Sequence, residues 1–213
     1  MTLQRYRRKL AGSVHKDEVF SYQDLRNGIM VGATYDNCTF KSCKMNSLRM
    51  EASLFIRCHF EDCDLQHANM MAKFQDCSFL KCNLDNVNLV TAILERTLFE
   101  DCRMEYAALS RATMVGGGIV DTALHGAYMD MAGAEGVDFS GSNLWGAVLP
   151  MSCAIFVGNK FDHRQLHLLL GLVYKSLLSG DDAQRISLIA DPRMVKMVDR
   201  LTRVPVDATT GVA

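Results

Sequence analysis

The sequence contains no run of about 18 consecutive apolar residues, so no membrane-spanning helix is expected. Proline is scarce, with three in 213 residues, and there is a single tryptophan. Aromatics reach only 8%, yet hydrophobic residues make up 49%, enough for one sizeable core and too much for a disordered chain. Charge of one sign is missing too: 23 basic side chains meet 24 acidic ones, a net charge of −1. Such a balance gives no general pull towards nucleic acid or anionic lipid. The opening stretch MTLQRYRRKLAGSVHK has charges but no apolar segment behind them, so no export signal is expected. Eight cysteines without such a signal point to free thiols in a reducing compartment. The expected location is the cytoplasm, or a particle assembled there such as a virion.

Motifs for chemistry are also lacking. His163 and His167 stand four apart, but Arg164 occupies the position where a zinc-protease helix needs glutamate. The glycines Gly116–Gly118 lack the Lys-Ser/Thr pair of a phosphate loop, and a tight or thinned segment is the expected reading. His59 and His125 are isolated, with no nucleophile at a motif spacing. No catalytic activity, cofactor or metal is expected.

What is present is a repeat of five residues. From Phe20, large apolar side chains recur at Leu25, Met30, Tyr35, Phe40, Met45, Met50, Phe55, Phe60, Leu65 and Met70. The count then slips by one residue to Phe74 and continues through Phe79, Leu84, Leu89, Leu94, Phe99 and Met104 to Leu149. A second series of mostly small residues sits two positions earlier, as at Ala33, Cys38, Cys43, Cys58, Cys63 and Ala68. A helix repeats at 3.6 residues and a simple strand at 2, so neither gives this pattern. Two inward positions and three outward ones in every five require a short strand and a corner in each repeat.

The units CDL, ANM, CNL, VNL, VDF and SNL resemble the A(D/N)LXX signature of the pentapeptide-repeat family, over roughly residues 18–152. The resemblance implies an all-β solenoid: a right-handed quadrilateral β-helix of about 6–7 coils, with four repeats per coil. The sequence offers its own test of that number, because four repeats stack residues twenty apart. Allowing the one slip, Phe20, Phe40, Phe60, Phe79, Phe99, Ile119 and Phe139 form one column. Leu25, Met45, Leu65, Leu84, Met104, Leu124 and Leu144 form the next. Cys38, Cys58 and Cys77 fall in one small-residue column, and Cys43, Cys63, Cys82 and Cys102 in its neighbour. A zinc site needs about four converging ligands, whereas a ladder spreads its sulfurs along an axis. Stacked side chains also point in parallel, which disfavours disulfides. Free thiols packed as small hydrophobes are the expected state. The slip itself reads as a shortened corner.

Residues 1–17 are expected to be a basic arm or a small cap on the first coil, and 153–213 C-terminal helices with a flexible tail. Asp162 is a candidate helix start and Gly180 a candidate stop. Between them Leu166, Leu169, Leu170, Val173 and Leu177 form an apolar face suited to capping the last coil or to self-association. Trp145, just after inward Leu144, should point outward beneath a terminal helix.

A rigid rod with flat charged faces fits a non-enzymatic scaffold or protein-interaction module, including a structural component of a larger assembly; the protein partner is not specified by the sequence. Direct nucleic-acid binding is not expected. The family resemblance raises an alternative, a DNA-mimicking regulator of a topoisomerase such as gyrase, of the quinolone-resistance type. Residues 18–150 hold 17 acidic and 10 basic side chains, a net −7. Duplex DNA carries one negative charge per about 1.7 Å, or ~20 over the ~34 Å of seven coils. The rod is a weak mimic by that measure.

Overall fold

The computed structural model describes residues 10–148, 159–161 and 165. Eleven strands join one parallel sheet: β1 (Val14–Lys16), β2 (Val19–Ser21), β3 (Thr34–Asp36), β4 (Thr39–Lys41), β5 (Leu54–Ile56), β6 (His59–Glu61), β7 (Lys73–Gln75), β8 (Ser78–Leu80), β9 (Ile93–Glu100), β10 (Thr113–Val120) and β11 (Gly133–Glu135). The pairing step is twenty residues, as at Phe20↔Phe40, and nineteen across the slip, as at Phe55↔Phe74. Chains of isolated parallel bridges through Asp24, Lys44 and Asp64, and through Ile29, Arg49 and Asn69, continue the same step on the other two sides. The result is a four-sided parallel solenoid, and among the described residues it is almost entirely non-helical. Its sides are designated A to D by their first inward residues: Phe20, Leu25, Met30 and His15.

Corners explain the period. A residue with positive φ recurs at every fifth position from Gly12 to Gly146, except at the slip. An L-residue in this left-handed region costs roughly 1–2 kcal/mol, and Asn and Asp bear it best. They occupy eight of the twenty non-glycine corners, so the other twelve must be held there by the ladder. The ladder does hold them: corner amides such as Asp17, Tyr22 and Asn27 donate to Asp36, Lys41 and Asn46 of the next coil at 2.9–3.0 Å. At the slip the left-handed residue is the one deleted. Positive φ jumps from His67 to Asp76, and the Ala72 amide reaches back two residues to the Met70 carbonyl at 2.7 Å, where other corners close over three. Only a corner is shortened, so the columns on both sides stay in line. Gly117 has a stricter requirement. Its φ is +75°, and a Cβ there would lie 2.2 Å from the Thr97 carbonyl oxygen.

The interior holds two adjoining aromatic columns. On side A, Phe20, Phe40, Phe60, Phe79 and Phe99 stack in sequence with ring centroids 4.4–4.7 Å apart. That is the spacing of hydrogen-bonded strands, so the rings sit in face contact because their strands are paired. On side D, His15, Tyr35, Phe55 and Phe74 stack at 4.8–5.0 Å. The two columns meet edge-to-face at 5.5–5.8 Å, as in Tyr35–Phe40, Phe55–Phe60 and Phe74–Phe79. Each such pair adds about 0.5–1.5 kcal/mol beyond burial. Ile119 interrupts column A, Phe139 resumes it, and Phe161 stacks on Phe139 at 5.2 Å.

The small columns do more than fill space. The buried thiols of Cys43, Cys63, Cys82 and Cys102 donate to the carbonyls of Phe20, Phe40, Phe60 and Phe79 in the preceding coil, at 3.2–3.4 Å. Cys58 and Cys77 do the same to Tyr35 and Phe55. Where oxygen replaces sulfur the bond persists: Thr97 reaches the Phe74 carbonyl at 3.1 Å and Ser142 the Ile119 carbonyl at 2.6 Å. The small residue therefore serves partly as a donor to the inward residue's carbonyl in the preceding coil. The expectation of thiols as plain small hydrophobes is corrected in this respect.

The coil also reaches further than expected at both ends. Leu10 is buried and Val14–Lys16 is already a paired strand, so residues assigned to the arm take part in the first coil. After Val148, Lys160 bridges to Asp138, adding a rung beyond residue 152. The buried amide of Gln165 donates to the carbonyls of Phe139 and Ser142, satisfying acceptors at this end. Leu166, Leu169, Leu170, Val173 and Leu177, with the helices expected around them, lie outside the described residues, as does most of 1–17.

Candidate interaction faces

Every one of Phe20, Phe40, Phe60, Phe79, Phe99 and Phe139 is buried, as are all seven ladder cysteines. Burial pushes the Cys38 thiol up. Hydrogen bonding with the neighbouring thiol, then burial, raises Cys43, Cys58 and Cys82, and the same thiol contacts lower Cys63, Cys77 and Cys102. All seven are buried, so the described coil presents none of these thiols at its surface. Among the described residues no group of three or more His, Cys, Asp or Glu is placed to hold a metal ion, and no helix is long and apolar enough to cross a membrane. What the coil can present to another molecule is its outward side chains.

These segregate by side. Side A carries Glu18, Glu61, Asp62, Glu100, Asp101, Asp121 and Asp138 against Lys41 and Lys81, seven acids to two bases. Lys41 pairs with Glu61 at 2.8 Å, and Lys160 of the added rung pairs with Asp138 at 2.7 Å. At Asp138 burial pushes the carboxyl up, but Lys160 and Ser140 prevail and hold it below its ordinary value. Sides B and D are close to balance, knit by pairs within and between coils. Arg26 holds the Asp24 carboxyl down to about 2. Arg103 meets Asp85 at 2.6 Å, Lys73 meets Glu95 at 2.7 Å, and Arg57 meets Asp36. A two-pronged contact from Arg96, at 2.5 and 2.9 Å, lowers Asp76.

Side C is neutral and the most apolar. Its charges are Arg49, Glu51, Arg111 and Asp130. Arg49 and Glu51 pair with each other at 3.0 Å. Arg111 and Asp130 are exposed and make no ion pair among the described residues, although the Arg111 amide donates to the Asp130 carbonyl at 3.0 Å. Around them Tyr128 is 51% exposed, Met131 65% and Val148 45%. Just across the B/C corner Trp145 is 66% exposed. Trp145 does point outward, and the terminal helix expected over it lies outside the described residues. The Trp145 carbonyl accepts a hydrogen bond from His125 Nδ1 at 2.8 Å, and His125 stands edge-on to the half-exposed Tyr106 at 5.6 Å. Tyr106 in turn lies over Gly126, where a Cβ would come within 2.6 Å of its ring. Tyr106 and His125 thus pack on one another across neighbouring coils. Sequence reasoning missed the patch because outward positions carry no period; sorting them by side, with a step of twenty, would have found it.

The family model for pentapeptide repeats matches residues 82–117, in eight copies. Among solved structures the chain is similar to HetL, a pentapeptide repeat protein involved in heterocyst differentiation regulation from the cyanobacterium Nostoc sp. strain PCC 7120. The identity is 16%, over 68% of this chain and 67% of that one, with a TM-score of 0.49. It is similar also to QnrB1, a plasmid-mediated fluoroquinolone resistance protein, with 17% identity over 78% and 92% of the two chains and a TM-score of 0.36. A third is Rfr23, a pentapeptide repeat protein from the cyanobacterium Cyanothece 51142, with 14% identity over 76% and 91% and a TM-score of 0.24. None of the curated proteins matches the chain.

Proposed function

We propose that this pentapeptide-repeat chain is a non-enzymatic protein-interaction module, a stiff rod that presents side C and the adjoining B/C corner to a protein partner. The observation that carries the reading is the group Tyr128, Met131 and Trp145, each more than half exposed and gathered on side C and its corner with side B. Tyr and Trp are the residues most often found to carry binding energy at protein interfaces. A rigid sheet limits the entropy lost when they are covered. Self-association through Leu166–Leu177 and a place in a larger assembly are compatible with this role.

The test is affinity capture from native extract with the full chain. The comparison is between the native protein, a side C variant (Tyr128→Glu with Met131→Glu) and a side A variant (Asp101→Lys with Asp121→Lys). Loss of captured protein with the side C variant alone is the expected result. Loss with the side A variant alone would support a second reading, in which the acidic side mimics DNA towards a topoisomerase. Side A favours that reading by its seven acids to two bases, but the excess of five is far below the ~20 phosphates of equal length.

A further inference from the structure

We propose that side C is the contact surface of a homodimer in which two rods lie face to face and antiparallel, related by a two-fold axis crossing the coils between Arg111 and Asp130. It rests on the reading of side C as an interaction surface and names a second copy of this chain as the occupant.

Charge singles out this side. The described coil is acidic overall, with 18 acidic to 11 basic residues over 10–148, so two copies repel on most approaches. Side A against itself sets seven acids opposite seven. Side C alone has equal numbers of each sign and meets itself without repulsion.

The remaining charges are arranged for self-pairing. Arg111 and Asp130 sit in successive coils, and neither has an ion-pair partner among the described residues. A two-fold axis between those coils exchanges their levels. Each Arg111 then lies over the partner's Met131 with its guanidinium in reach of the partner's Asp130, which gives two identical pairs. A contact that pairs residue i with j, and j with i, is the signature of a two-fold interface. The same operation sets large against small. Tyr128 and Ala108 are bridge partners in neighbouring coils at the same position along the strand. Exchange of levels places each exposed Tyr128 ring over the partner's Ala108. A side one strand wide and ~34 Å long gives a modest interface, so the dimer belongs to the small, concentration-dependent class.

The test is sedimentation velocity of the full chain over a concentration series, with Arg111→Asp, Asp130→Arg, the double variant, and an equimolar mixture of the two single variants. Melting curves check that each variant folds; Arg111 has φ +59°, which aspartate tolerates well. Each single reversal is expected to weaken self-association by about tenfold or more, through like charges set face to face. The double variant is expected to restore it. The mixture is expected to form a heterodimer, because one chain then offers two acids at these positions and the other two bases. A protein that stays monomeric at all concentrations overturns the proposal. So does self-association that the single variants leave unchanged, since that places the contact on another surface. Either failure leaves the capture of a different protein by side C unaffected, so the two readings fail separately.

Discussion

Truncating Phe79 probes the interior at its densest point. Its ring is fully buried, stacked on Phe60 at 4.4 Å and Phe99 at 4.7 Å, and met edge-on by Phe74 at 5.5 Å. Phe→Ala in a core costs about 3–5 kcal/mol, from lost transfer energy plus the cavity left behind. Three ring contacts at ~0.5–1.5 kcal/mol each place Phe79→Ala near the upper end of that range. The backbone cannot close the gap, because the strand ladder fixes the coil spacing on both sides. In a protein of this length a loss of that size lowers Tm by about 10 °C or more. A stack of coils has mostly nearest-neighbour coupling, so the damage should be local. The assay is urea unfolding combined with hydrogen exchange read by mass spectrometry. Protection is expected to fall most for amides of residues 55–104 and least at the first and last coils. Phe99→Ile serves as the control: Ile119 already stands above Phe99 in the same column, so a cost of only about 1–1.5 kcal/mol is expected. A cost below ~1 kcal/mol for Phe79→Ala, or protection lost evenly along the chain, would refute the stacked-column account.

Ser142→Ala removes a hydroxyl that donates to the Ile119 carbonyl and accepts from the Thr122 amide, both buried; a loss of about 1–3 kcal/mol in urea unfolding is expected, with Ser142→Cys recovering most of it. Insertion of one asparagine between Met71 and Ala72 restores the missing left-handed corner and leaves each column aligned, so Tm should change little, whereas the same insertion between Phe79 and Leu80 should unfold the central coils. Asp24, Asp76 and Asp138 are held below the ordinary carboxylate value, so their contribution is complete above the unfolded value of about 4 and is lost as the pH falls below it, for Asp24 towards about 2. Tm followed against pH should therefore be flat from neutrality to about pH 5 and decline below about 4; a decline beginning near pH 6 would assign the effect to other groups.

The architecture was legible because burial is periodic. Phe20, Phe40 and Phe60 repeat at twenty residues for the same reason that their rings stack: one coil consumes four corners of five residues. The slip was legible for the same reason, since only the deletion of a corner residue leaves Phe60, Phe79 and Phe99 in line. His15 escaped notice as the base of column D because a histidine does not read as a core aromatic. Phe161 escaped because it stands 22 residues after Phe139, where a fixed step does not look. The bonding of the cysteines was hidden for a chemical reason: Cys, Ser, Thr and Ala are alike in size, and only the reach to a carbonyl of the preceding coil distinguishes the three that donate. The candidate interaction surface was the least legible part. Arg111, Tyr128 and Asp130 are far from unusual in sequence, and their meaning comes from which of four sides they share.

Site-specific photo-crosslinking tests the central claim, that the outward residues of side C make the protein contacts, most directly. A photoreactive residue is placed at Met131 on side C, and in separate proteins at Asp101 on side A, Glu105 on side B and Glu135 on side D, each in the full chain and illuminated in native extract. The account predicts protein adducts concentrated at position 131, whether to a second copy or to a different protein. Adducts concentrated at position 101, or spread equally over the four sides, would contradict it.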